Sequence, residues 1–235
     1  MLNTARVPTL LLVLHGTRSP RGTAIAHSLA LRVAEVTHRP TRLAFADVTR
    51  PTVTEVAATT PGPLVVVPAF LATGYHVRTD IPHQLALAGR ADAVITPALG
   101  EHPALMSTAL RRLTQAGYQS GDALILACAG TSDPHAQTEL DQAARRLSHH
   151  TGGPVHLAYA ATSAPTVADK VTELRAAGHR RVSVATWLLA PGLFHDRLTA
   201  SGADAVAAPL CPDPAIAHAV ADHYLRAAVP HPAHP

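Results

Sequence analysis

Thr9-Leu10-Leu11-Leu12-Val13-Leu14-His15-Gly16-Thr17-Arg18 is the stretch that decides the fold. Its aliphatic run has no charge and no polar alternation, the pattern of a parallel strand covered on both faces. Gly16 and Pro20 end the run, and His15 falls at the carboxyl end of the strand. In an open α/β sheet that end faces the ligand crevice, so a side chain there is presented to whatever binds. Ser19-Pro20 then opens a helix over Arg21 to Thr37, with Ile25, Leu29, Val33 and Val36 as its apolar face. Strand, glycine turn and helix start together make a ready anion site.

Working outward, Leu43 to Ala46 reads as a short strand closed by Asp47, and Arg50-Pro51-Thr52 opens another helix. Leu64 to Val67 is a third buried strand. It runs into Pro68 to His76, a long segment bent at Gly74, before a helix starts at Asp80-Ile81-Pro82 with Asp80 as its expected N-cap. A strand at Ala93 to Thr96 and a helix from Pro103 to Leu113 complete a first unit. The polar junction Thr114 to Gly121 carries two glycines, and beyond it the pattern restarts.

Leu124 to Thr131 repeats the strand-Gly-Thr of Leu10 to Thr17. Ala158 to Val167 matches Ala44 to Val53 without a gap and at the same offset. Leu189 to His195 follows Leu71 to His76 with one extra residue, and Pro214-Ala215-Ile216 echoes Pro103-Ala104-Leu105. Four matches in one order imply a tandem duplication of an α/β unit, with expected domains at 1–119 and 120–235. Each half is expected to form a parallel sheet with helices on both faces and right-handed crossovers.

The composition agrees. Of 235 residues 47% are hydrophobic and only 3% aromatic, so the core must be aliphatic. A net charge of +3 and a pI near 9.2, without a clustered basic run or interleaved aromatics, argue against a nucleic-acid surface and fit an acidic small molecule. The first apolar run follows Arg6, is too short to span a bilayer and lacks a cleavable signal pattern, so a cytoplasmic protein is expected. Cys128 and Cys211 lack metal-site spacing and are expected as buried free thiols.

The duplication also tests the chemistry. Gly16/Gly130, Pro51/Pro165 and Thr52/Thr166 persist in both halves, so turns and helix starts explain them. His15 faces Ala129, Asp47 faces Ala161, Arg18 faces Ser132 and Arg50 faces Ala164, while His76 pairs with His195. The first half therefore holds two histidines and a carboxylate at the ends of three strands. The other histidines are expected to be mostly solvated, among them His149, His150, His231 and His234. Two imidazoles and a carboxylate suit a borderline divalent metal such as iron, cobalt, nickel or zinc, and neutral histidine suits proton uptake near pH 7.

Three motifs, Leu14-His15-Gly16-Thr17-Arg18, Phe45-Ala46-Asp47-Val48 before Pro51-Thr52, and Phe70 to Pro82, resemble the sirohydrochlorin chelatase family of class II tetrapyrrole chelatases in its two-domain form. The resemblance implies insertion of Fe²⁺, Co²⁺ or Ni²⁺ into sirohydrochlorin, a macrocycle that must lose two pyrrole protons. It implies that His15 and His76 bind the metal and accept those protons, with Asp47 as the third site residue. The family usually has glutamate there, and the shorter Asp47 either reaches the metal or acts through water. Arg18, Arg21, Arg50 and Arg78 are implied partners of the substrate's carboxylates, and His195 a substrate contact across the cleft. No permanently bound cofactor, nucleic acid or membrane is expected, and two units in one chain favour a monomer. A non-catalytic tetrapyrrole or metal carrier of the same fold is the rival reading. A nucleotide-dependent oxidoreductase is disfavoured because no G-x-G-x-x-G follows the first strand, and a serine hydrolase because no G-x-S-x-G is present.

Overall fold

The computed structural model describes residues 7–228, so Arg6, His231 and His234 lie outside the described residues. In the first half, β1 (Thr9–Leu14) pairs in parallel with β2 (Thr41–Phe45) and β3 (Leu64–Pro68), and β3 with β4 (Val94–Ile95), in the order β2-β1-β3-β4. The second half repeats this with β5 (Ala123–Cys128), β6 (Val155–Tyr159), β7 (Val182–Trp187) and β8 (Ala205–Val206), in the order β6-β5-β7-β8. The helices are α1 (Pro20–Thr37), α2 (Val53–Ala58), α3 (Ile81–Leu87), α4 (Pro103–Gln115), α5 (Pro134–Thr151), α6 (Val167–Ala176), α7 (Leu193–Thr199) and α8 (Pro214–Ala228). The duplicated parallel α/β architecture is thus present in both halves.

Successive residues of a strand point to opposite faces, which explains why β1 carries no polar residue after Thr9. Leu11 and Val13 face outward onto α2 and α3, packing with Val53, Val56, Ile81 and Leu85. Leu10, Leu12 and Leu14 face inward. There they join Leu124 and Leu126 of β5, Trp187 of β7, Leu105 of α4 and Tyr224 of α8 in one core. The second sheet repeats the outer layer, with Ile125 and Ala127 packed on Val167 and Val171 of α6 and Leu198 of α7. Two sheets therefore enclose α1, α4, α5 and α8 and carry the remaining helices outside.

Each sheet has helices on both faces as expected, and the inner covering is shared between the halves. Helix α4 packs on β7 of the other half, and α8 packs on β3 and α1. Tyr224 donates its hydroxyl to the Pro8 carbonyl at 2.6 Å, tying the last helix to the first strand. Each half alone would leave an aliphatic sheet face in water, at about 25 cal/mol per Å² of apolar surface.

Three local readings change. Helix α1 buries Ala26, Leu29, Val33 and Thr37, whereas Val36 is exposed, because the helix presents Gly22 to the other half, where a Cβ would come within 3.0 Å of the Pro191 carbonyl. Its start is closed by Ser19, whose hydroxyl accepts from the Gly22 N–H, and by the Pro191-Gly192 turn, so it is not an open anion site. Asp80 is not an N-cap. Its backbone is already helical (φ −70°, ψ −50°), since His76–Asp80 forms a π-type turn in which the Ile81 N–H reaches the His76 carbonyl.

Gly16 (φ +102°) and Gly130 (φ +110°) occupy equivalent turns, where a Cβ would lie 2.0 Å from the carbonyl oxygens of Asp47 and Ala161. Only glycine fits there, in either half. Both cysteines are free and buried, and burial pushes the Cys211 thiol up to about 12 and that of Cys128 higher still. Among the described residues no helix is long and apolar enough to cross a membrane.

The shared core predicts joint unfolding. Leu105 is fully buried in α4, and the sole tryptophan, Trp187, lies in the opposite sheet. Leu105→Ala is expected to cost about 3 kcal/mol. In urea it should move the Trp187 fluorescence transition and the far-UV circular dichroism transition together; separate transitions would show that the halves unfold independently.

Candidate active site

The three side chains singled out at strand ends come together. His15 follows β1, Asp47 follows β2, and His76 opens the turn after the long segment that follows β3. One ligand-capable atom of each lies within 4.8 Å of the other two. His15 and His76 meet edge to face with ring centroids 4.6 Å apart, and Phe70 stands beside both, at 6.3 Å and 6.0 Å. Tyr75 lies against His76 from the exposed side, at 5.7 Å.

Backbone lacing beneath the site holds these ends in register. The Asp47 N–H donates to the His15 carbonyl at 2.9 Å, and the Ala46 N–H to that of Leu14 at 2.8 Å. Thr49 Oγ1 donates to the Thr17 carbonyl and accepts from the Thr17 N–H, binding the two turns together. The second half has the same lacing, from Ala161 to Ala129, from Ala160 to Cys128, and between Ser163 and Thr131. Val48 and its counterpart Thr162 even share the left-handed conformation, with φ near 65° and 58°. The scaffold is therefore duplicated, while the imidazoles and carboxylate of the first half are not needed to build it.

Hydrogen bonds define which atoms face the cluster. The Asp47 carboxylate accepts from the Val48 N–H at 2.7 Å, which holds it against its own turn. His76 Nδ1 lies 2.8 Å from Asp80 Oδ2; a carboxylate only accepts, so Nδ1 carries a proton, and in the neutral ring the lone pair is then on Nε2. His15 Nδ1 is 3.3 Å from the Gly16 carbonyl, which favours the same tautomer. Burial against its neighbours, and then the proximity of His76, lower the His15 pKa below its ordinary 6.5. This favours the neutral His15 ring, whose free nitrogen is what binding a divalent cation needs.

The other expected site residues divide. Arg18 is exposed in the loop after β1, and Arg21 is exposed in the first turn of α1. Arg78 is half-exposed and reaches Asp133, the N-cap of α5, at 3.7 Å, so it crosses between the halves. Arg50 is engaged by Glu55, three residues into the helix start that Thr52 caps, which makes it a structural partner of that turn. His195 is not brought to the cluster. Its Nε2 donates to the Ala207 carbonyl at 3.1 Å, within its own half.

The pairing of His76 with His195 also fails in detail. The Arg78 N–H bonds to the Gly74 carbonyl and the Asp196 N–H to that of Gly192, so the two glycines open equivalent turns. Two residues on stand His76 and Phe194, and His195 takes the position of Val77. The extra residue assumed between the halves was an error of register, and the second half keeps none of the three groups. Asp80 was missed as a site residue because an acid before Ile-Pro reads as a cap; its spacing of four from His76 was the available signal.

The chain also resembles known proteins. The family model for CbiX matches residues 9–116 and again 123–227. A sirohydrochlorin cobaltochelatase of Methanothermobacter thermautotrophicus is 34% identical over 87 residues, which make up 35% of this chain and 61% of that relative. The matched stretch thus spans less than two thirds of the relative's length. SirB from Bacillus subtilis, solved with Fe³⁺, superposes with a TM-score of 0.77 at 19% identity, over 94% of this chain and 95% of the other. CbiX, described as the terminal enzyme for siroheme biosynthesis in denitrifying bacteria, superposes with a TM-score of 0.72 at 24% identity, over 94% and 100%. The last two are likenesses of fold. With both halves matched by one family model, the chain is a tandem copy of a single unit and belongs to the sirohydrochlorin chelatase (CbiX) family.

Proposed function

We propose that this protein is a chelatase that inserts a divalent metal, Fe²⁺ or Co²⁺ and also Ni²⁺ where supplied, into sirohydrochlorin, for siroheme or cobalamin synthesis. The observation that carries the reading is the convergence of His15, Asp47 and His76 at one open sheet edge. In this reading the metal ion is a substrate. It sheds water onto the two Nε2 lone pairs with the Asp47 carboxylate beside them, a mixed nitrogen and oxygen set suited to first-row metals.

Insertion replaces two pyrrole protons with one divalent cation, so two protons must leave as the metal–nitrogen bonds form. His15, in its neutral form, takes up one of them as the metal departs, and His76 or water takes the second. Choice among Fe²⁺, Co²⁺ and Ni²⁺ follows supply and geometry, because all three suit these ligands. Arg78, Arg18 and Arg21 are the arginines proposed to meet the macrocycle's carboxylates. We also propose the first 119 residues as the active unit, the second half as its support, and a monomer as the working form.

Anaerobic insertion of Co²⁺ and Fe²⁺ into sirohydrochlorin, followed by absorbance, tests this. His15→Ala and His76→Ala are expected to lose about 10²-fold to 10⁴-fold in kcat. His195→Ala should stay within about twofold of wild type, because its ring serves the Ala207 carbonyl. Macrocycle binding with no acceleration over the protein-free rate would replace the chelatase reading with that of a carrier.

The depressed His15 pKa gives a second expectation. In an NMR titration of the metal-free protein, His15 should titrate below 6.5 and move toward it in His76→Ala, since His76 is one of the lowering causes. The unfolded chain then binds this proton more readily than the folded one. His15 therefore contributes stability that is present above about pH 6.5 and is lost as pH falls toward its folded value.

A further inference from the structure

We infer that Asp80 is a positioning residue that sets the tautomer and orientation of His76, and that Gln84 in turn anchors Asp80 to the strand end carrying Asp47. The inference deepens the chelatase reading and rests on it for its catalytic consequence alone. Asp80 Oδ2 lies 2.8 Å from His76 Nδ1, and Asp80 Oδ1 accepts from Gln84 Nε2 at 3.1 Å. The same Gln84 amide nitrogen donates to the Ala46 carbonyl at 2.8 Å. A continuous chain of hydrogen bonds thus runs from one proposed metal ligand to the residue before another.

The helical turn over His76–Asp80 brings the first two members of this chain together. Residues four apart on a helical turn are neighbours on one face, so the side chains of His76 and Asp80 meet. Both are mostly shielded from water, with side chains 25% and 20% exposed, so their contact is less screened than a surface ion pair. Asp80 does not cap its helix, and its other contact is with Gln84, so no helix-start role accounts for it.

The second half supplies an internal control. Four residues beyond Phe194 stands Leu198, fully buried in the outer core, and α7 ends at Thr199, before any counterpart of Gln84. The half without the imidazole has also lost the carboxylate and the amide. Packing alone, which both halves need, is satisfied there without them. A carboxylate on the distal nitrogen of a ligating histidine fixes the ring and raises its basicity, and loss of such a partner typically costs about 10-fold to 100-fold in metal affinity or activity.

The test uses the full chain, first metal-free and without macrocycle. In ¹⁵N spectra of the imidazoles, wild-type His76 should show a protonated Nδ1 and a bare Nε2. Asp80→Ala should shift that population toward the Nε2–H form, and Gln84→Met should do so more weakly; Gln84→Met keeps the test usable if Asp80→Ala fails to fold. Titration with Co²⁺ alone, read by its visible d–d absorption, should show binding weakened about 10-fold or more in Asp80→Ala. In the insertion assay kcat should fall while the KM for the macrocycle stays within about twofold. An unchanged tautomer in both variants, with Co²⁺ affinity within about twofold of wild type, overturns the inference. If wild type binds Co²⁺ with the expected tautomer but inserts no metal, the chelatase reading fails and the positioning role stands.

Discussion

A strand with no polar side chain on either face has to lie at the centre of a sheet covered twice over. For β1 and β5 that requirement organises the molecule. Leu11 and Val13 are covered by helices of their own half, but Leu10, Leu12 and Leu14 are covered together with the facing strand of the other half. Both sheets draw on one central layer, so α4 and α8 cross over to the opposite half and neither unit closes alone. The central strands also end at one edge in each half, and in the first half that edge collects the chemistry.

Duplication separates what the fold needs from what the site needs. The glycine turns, the cross-turn hydrogen bonds and the left-handed residues Val48 and Thr162 occur twice. The imidazoles, the Asp47 carboxylate and the Asp80–Gln84 chain occur once. Strain at Val48 is therefore a property of the turn and is carried equally by the half without the cluster. The second half retains its packing and supplies contacts across the seam: Glu139 accepts from the Thr73 N–H at 2.6 Å, and Asp133 faces Arg78. These contacts hold the segment that delivers His76.

The electrostatics of the cluster follow from crowding. Two imidazoles at 4.6 Å cannot both be charged cheaply, and the partial burial of His15 adds to that cost. When the rings are neutral, their hydrogen-bonded Nδ1 atoms leave two Nε2 lone pairs beside one carboxylate. The chemistry of such a set suits both a divalent cation and proton uptake, the two demands that metal insertion places on one site.

Much of this was legible in the chain. The unbroken aliphatic runs, the glycines that follow them and the ordered repeats determined a duplicated parallel α/β fold, since strand periodicity and glycine turns are local properties. Comparison of the repeats singled out His15 and Asp47, and His76 stood out by its place beyond a third strand and its glycine turn; parallel pairing alone is enough to bring such ends to one edge. Tertiary structure decided the rest. Which face of α1 is buried, which half covers which sheet, and that His195 serves its own backbone depend on contacts between residues distant in sequence. The matching turns opened by Gly74 and Gly192 set Phe194, not His195, opposite His76, and the helical backbone of Asp80 makes it the partner of His76 and not a helix cap. Hydrogen-bond geometry, which residue spacing leaves open, decides between those two roles.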